Sequence, residues 1–410
     1  MGKLKSNMLL RVILLTLSGC LIYGMSSSIR SNYGVMMNGI IDNSGISFTG
    51  ISFVLAVGQL VFGIVQPFFG IMGAKKGSAS VLVSGIMLMI TGMLLIPFCN
   101  SILSMTICLG IILPAGTGAL SYGIIMGAIT PKLPSKGAAN VSGIVNASSG
   151  IGNVFMSPII NKLILTGGLL HSMIFLSIPM LIMLPIALLL GRNKRAGEQK
   201  TVAPRREEKE GGFNTKEIFA SAFKSRTYLF LMIGFFTCGF HMAIIMNHLP
   251  TEFMSYGFRS ENAAYAMSVY GIATILGSLL SGNLCGKLKM KNVLGTFYGI
   301  RPIAVIVFIF VPKTMITICA FAALMGFSGA STVPPVAGIV GRDFGARSMA
   351  TLFGFVFFIH QIGGFLSAWL AGICFEQTGS YVTIWLVDAA LCILAAGVSF
   401  MIKEEKPALA

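Results

Sequence analysis

The sequence predicts an all-α membrane protein with twelve transmembrane helices in two pseudo-symmetric six-helix halves, and three observations predict it. Only 10% of the 410 residues are charged while 55% are hydrophobic, against roughly 25% charged in a soluble domain. A chain so poor in charge cannot cover a water-facing surface, and a lipid-facing exterior removes the need; the mean hydropathy of +0.86 agrees. Apolar runs that reach the ~20 residues needed to cross a bilayer recur twelve times. The two sets of six also repeat: Gly143 and Gly152 of the fifth run fall opposite Gly354 and Gly363 of the eleventh.

In order, the first six runs are 8–37, 46–72, 78–98, 101–129, 137–166 and 169–191. The first and fifth exceed the minimum, so they tilt or project beyond the hydrocarbon. The second six are 227–255, 260–287, 291–311, 313–340, 347–376 and 379–402. Ser278, Gly282 and Gly286 of the eighth run recur every four residues, the small-residue spacing that lets helices approach closely. Pro334-Pro335 in the tenth removes two backbone donors. The freed carbonyls need other partners, supplied by a kink lining a cavity or by plain packing.

Between the halves, 1–191 and 227–410, lies the polar stretch 192–226. It mixes Arg192, Lys194, Arg195, Arg205 and Arg206 with Glu198, Glu207, Glu208 and Glu210, and reads as a flexible cytoplasmic linker.

Lys and Arg set the orientation. With both termini cytoplasmic, the inner segments hold Lys75, Lys76, Lys132, Lys136, Lys287, Lys289, Lys291, Arg342 and Arg347, while the outer side receives Lys162, Arg259 and Lys313. The net charge of +16 is therefore a topology signal with attraction to anionic lipid, and nucleic acid is not an expected partner. The eight cysteines form no CxxC or Cys/His pair of metal spacing, so no metal is expected. The Gly-x-x-x-x-Gly-Lys-Ser/Thr phosphate loop does not occur. No cofactor is expected, and energy would come from a gradient.

The turn from Gly70 to Gly77 resembles the Gly-x-x-x-Asp-Arg-x-Gly signature of the major facilitator superfamily. Ala74 replaces its acid, Lys75 keeps the charge, and the second copy has Gly286 at the acid position. Within that superfamily the chain is similar to the bacterial monocarboxylate transporter and oxalate/formate antiporter branch. The matching stretches are Ser28 to Val35, Cys238-Gly239-Phe240 through His248-Leu249-Pro250, Tyr298 to Arg301, His360-Gln361 with Gly363-Gly364, and Thr378 to Tyr381.

The resemblance implies the major facilitator fold and not an enzyme. It implies a monomeric secondary active transporter of a small organic anion, working by alternating access as proton symport or anion exchange, in a bacterial inner membrane. The arginine of helix 8 in family members with carboxylate binding, and the Asp or Asn four residues before it, correspond here to Ser278 and Thr274. That anion anchor is absent. An exporter of amphipathic compounds is the alternative on the same fold, with 25 methionines and 30 phenylalanines to make an adaptable pocket. A non-transporting membrane sensor or scaffold is the alternative of another class.

Charges within spans are costly and mark function by default. Arg30 lies ~33 Å along the first run at 1.5 Å per residue, with no acid placed to neutralise it unless Asp42 folds back. Its guanidinium can grip a carboxylate with two parallel hydrogen bonds. His248 and His360 titrate near neutral pH and are the candidate proton carriers. Tyr122, Asn146, Asn247, Thr274 and Gln361 are the candidate polar lining. Arg301 and Asp388 lie ~15 and ~14 Å deep on the same arithmetic, in helices that the resemblance makes neighbours, and are expected to form a structural ion pair.

Overall fold

The computed structural model describes residues 2–133, 138–191 and 215–404, so Lys136 and the charged stretch 192–214 lie outside the described residues. Those described are helical, with no strand among them. Eleven stretches are long and apolar enough to cross a membrane. One of them, Gly143–Leu190, runs 48 residues, twice what a bilayer needs. It breaks at Gly168, whose φ of 70° and ψ of −171° are non-helical. Divided there, the described residues hold twelve spans.

The first span departs from the continuous helix expected over 8–37. It is two helices, α1 (Gly2–Ser31) and α2 (Tyr33–Ser44), interrupted at Asn32. The Asn32 side chain competes with the helix ladder: Nδ2 donates to Ser28 O at 2.7 Å, and Oδ1 accepts from Ser157 Oγ. The second and third spans are α3 (Phe48–Lys76) and α4 (Ser78–Leu95), and Gly77 between them takes φ 85°, open at little cost only to a residue without Cβ.

The fourth span, Ile102–Ile129, is assembled from α5 (Ile102–Met105), a π-helical segment at Thr106–Ile112, α6 (Leu113–Ala119) and α7 (Tyr122–Ile129). The fifth and sixth are α8 (Ala138–Gly191). Part of the stretch expected as flexible linker is also helical, as α9 (Thr215–Lys224). Its Phe219 and Phe223 pack on Phe355, at 5.4 and 5.5 Å between ring centroids.

The second half follows as α10 (Arg226–Ser255), α11 (Ser260–Cys285), α12 (Met290–Phe310), α13 (Met315–Gly329), α14 (Val333–Thr378, bent at Gly345) and α15 (Val382–Met401). The Pro334-Pro335 step sits just after a 3-10 turn, Ala330–Thr332, that separates α13 from α14. Its carbonyls are claimed by side chains. Arg301 Nη2 donates to Ser328 O at 2.8 Å and Gly329 O at 3.1 Å, and Ser281 Oγ donates to Ser331 O at 2.5 Å.

The repeat seen in the glycines is geometric. A Cβ on Gly152 would fall 2.8 Å from Gly24 O on α1, and one on Gly363 would fall 2.1 Å from Phe236 O on α10. In each half the fifth helix therefore touches the first, backbone to backbone. Each half keeps its own apolar core. The halves meet along α3 with α14, and along α8 with α11, where Gly150 and Gly271 face one another and Ser268 Oγ donates to Val154 O at 2.8 Å. Leu17, Phe68, Phe155, Phe310 and Ile316 stand exposed on the outside, an apolar surface suited to lipid and not to water.

Candidate functional site

The break at Asn32 leaves Arg30 at the end of α1, pointing between the halves into a cavity of about 720 Å³. Arg30 is the one charged side chain in the lining among the described residues. Its Nη2 donates to Gln59 Oε1 at 2.6 Å, and its guanidinium lies 3.9 Å over the Phe62 ring. No carboxylate of the described residues pairs with it, and Asp42 is exposed on α2. The cation is thus oriented by a neutral amide and an aromatic face, with its charge uncancelled.

Six of the expected residues line this cavity: Arg30, Tyr122, Asn146, Thr274, His360 and Gln361. Tyr122 packs on Tyr23, ring centroids 5.8 Å apart, and Thr274 Oγ1 donates to Tyr270 O at 2.9 Å. His360 stacks on Phe357 at 5.4 Å, with its Nδ1 unpartnered. The Gln361 amide is also without a partner among the described residues, an unpaired polar surface of the kind a ligand or water satisfies.

His248 and Asn247 do not line the cavity. α10 turns Gly239, Met242, Ala243 and Met246 toward it. His248 is buried behind, its Nε2 2.8 Å from Ala368 O and its ring against Phe48 and Tyr381, 5.7 Å from each. Asn247 belongs to the closure at one end of the cavity. There, a Cβ on Gly34 would lie 2.8 Å from the carbonyl oxygens of Met246 and Asn247. The same end is sealed by Gly372 against Ser52 and by Glu376 Oε2, which accepts from Thr49 N–H at 3.1 Å. Toward the other end the lining runs on to Gly123, Gly143, Asn283 and Gly354, close to the helix ends on the side of the connection between the halves.

The expected direct pair of Arg301 with Asp388 does not form. Both are fully buried, but Asp388 Oδ2 pairs with His241 Nδ1 at 2.7 Å, and Arg301 spends its Nη2 on the carbonyls of the broken tenth span. Sequence reading also passed over Gln59, Phe62 and Phe357 in the lining. Gln59 was visible as a polar residue in an apolar run, whereas nothing distinguishes Phe62 from a lipid-facing phenylalanine. It passed over Glu252 as well, a buried carboxylate that accepts from Trp385 Nε1 at 2.7 Å and Tyr256 OH at 2.8 Å.

A family model described as Major Facilitator Superfamily matches residues 19–368 and 255–410. A Bacillus subtilis (strain 168) protein named as the uncharacterized MFS-type transporter YcxA is 25% identical, over 92% of this chain and 90% of its own. Monocarboxylate transporter 12 of Xenopus laevis is 24% identical, over 77% of this chain and 73% of its own. MFS-type transporter 1 of an Ophiocordyceps species is 24% identical, over 81% and 73%.

Proposed function

The chain belongs to the Major Facilitator Superfamily, and from the cavity around Arg30 we propose that it is a secondary carrier of a small, monocarboxylate-like organic anion, working by alternating access. It is a multi-pass membrane transporter, and the anion is what the site adds. The observation that carries this reading is the unneutralised guanidinium of Arg30, held at the blind end of a cavity whose described lining contains no acid. One fixed positive charge matches one carboxylate; a dianion such as oxalate would enter with a charge left over, at a desolvation cost that only a second cation offsets. The rings of Phe62, Phe357, Tyr122 and Tyr270 in the same lining suit an apolar body behind the carboxylate. The likeness to a protein named monocarboxylate transporter 12 supports the same class.

The carrier runs as proton symport or anion exchange and acts as a monomer. Its termini face the cytoplasm of a bacterial cell, in the inner membrane, so the conformation described here is open inward. The test is a thermal-shift screen of the purified protein against mono- and dicarboxylates of increasing apolar size at two pH values. Monocarboxylates should raise the melting temperature of the wild type and leave that of Arg30→Gln unchanged, since binding to the folded state alone stabilises it. Equal shifts in both proteins would remove Arg30 from the site.

A further inference from the structure

Behind the cavity wall of the second half lies a fully buried group that the anion site does not use: His241 on α10, Arg301 on α12 and Asp388 on α15. We infer that His241 and Asp388 form a proton-binding site, linked through Arg301 to the broken helix that lines the cavity. A carboxylate only accepts, so the 2.7 Å contact has His241 Nδ1–H donating to Asp388 Oδ2. That tautomer leaves Nε2 as the basic nitrogen, and it has no partner among the described residues. An imidazole oriented by a carboxylate with its other nitrogen free is built to take a proton.

A purely structural cluster at this depth would satisfy its polar atoms. Here His241 Nε2 and Arg301 Nε and Nη1 are all without partners among the described residues. The groups facing the pair are Arg301 on α12, and Trp385 and Cys392 on α15, the last with Sγ 3.9 Å from Asp388 Oδ1, while Cys238 on α10 and Tyr298 on α12 face the Arg301 guanidinium. Glu252 on α10 meets the same Trp385 at its indole N–H.

In the proposed step a hydronium ion admitted past the α10 wall gives its proton to Nε2, forming the Nε2–H bond and leaving water. The His241–Asp388 pair passes from a net charge of −1 to 0. Arg301 then stands as uncompensated positive charge in a dry pocket. The same guanidinium holds Ser328 O and Gly329 O, immediately before the turn whose Ala330, with Val333 and Pro334, forms part of the cavity lining. Protonation therefore strengthens or releases the grip on that break through charge alone. Cavity residues Gly239, Met242 and Ala243 bracket His241 on α10, so the site lies on the far side of the helix that walls the cavity. A role in coupling rests on the carrier reading; the proton site itself does not.

Trp385 supplies the readout, because its ring lies 6.2 Å from that of His241 and a protonated imidazole quenches indole emission. In full-length protein carrying Trp369→Phe and Glu252→Gln, Trp385 emission should fall through one transition as pH is lowered. His241→Gln should abolish the transition, and Asp388→Asn, which removes the anionic partner, should move it to lower pH. A transition that persists in His241→Gln overturns the proposal, as does its absence from the parent. Should His241→Gln fail to fold, an unmoved midpoint in Asp388→Asn overturns it equally. For the link to the wall, the rate of maleimide labelling of Val333→Cys should change with the same midpoint, and a flat rate would break that link. No arm uses an anion, so these outcomes are separate from those of the Arg30 screen.

Discussion

Arg30 and Gln59 meet across the first and second spans, the guanidinium donating to the amide oxygen at 2.6 Å while its flat face covers Phe62. A neutral acceptor fixes the direction of the fork without cancelling its charge. Gln59→Glu places a carboxylate at that same contact, so the protein should fold normally and lose anion binding to an internal competitor. Equilibrium binding of the best acid from the screen checks this, and unchanged affinity would mean that the charge of Arg30 is not what the anion meets.

Arg30→Lys keeps the charge but lacks the planar fork. Its affinity should fall by ~10-fold or more, on the scale of a lost charge-assisted hydrogen bond of about 1.5–3 kcal/mol. The melting temperature without ligand should stay within a few degrees of the wild type, by differential scanning fluorimetry.

Arg301→Ala withdraws its donor from Ser328 O in a buried helix break, at a cost of about 1–3 kcal/mol, while Gly329 O keeps Thr332 Oγ1 at 3.2 Å. Folded yield should drop. Adding Asp388→Ala removes the buried charge that Arg301 compensates but not the loss of its hydrogen bonds, so it should restore the yield only in part. Full recovery in the double mutant, read by size-exclusion chromatography, would reinstate a simple ion pair.

Much of the architecture was legible because lipid imposes simple rules. Run length gives the spans, and the glycine repeat locates the helix crossings at Gly152 and Gly363. Arg30 was legible too, as a cation with no acid near it in sequence. What failed needed three-dimensional direction. His248 is two turns from His241 and shares its face of α10, which is turned away from the cavity that Gly239, Met242, Ala243 and Met246 line, and no periodicity tells a wall from the layer behind it. Arg301 was assigned to Asp388 by charge, when its hydrogen bonds go to Ser328 O and Gly329 O, just before the 3-10 turn that ends α13. Nothing in the sequence joins His241 to Asp388, 147 residues away.

The paired glycines give a packing test. Gly363→Ala should drive its methyl into the Phe236 carbonyl and destabilise by about 1–3 kcal/mol, the usual cost of overpacking. Gly354→Ala, with nothing within 4 Å of the new Cβ, should leave the melting temperature unchanged. Equal effects would contradict the proposed helix contact.

Uptake of a radiolabelled monocarboxylate, chosen by the thermal-shift screen, into proteoliposomes of wild type and Arg30→Gln tests the central claim most directly. Saturable uptake by the wild type, with uptake by Arg30→Gln reduced to that of empty vesicles at equal reconstituted protein, is the predicted result. Wild-type rates in Arg30→Gln would contradict the account.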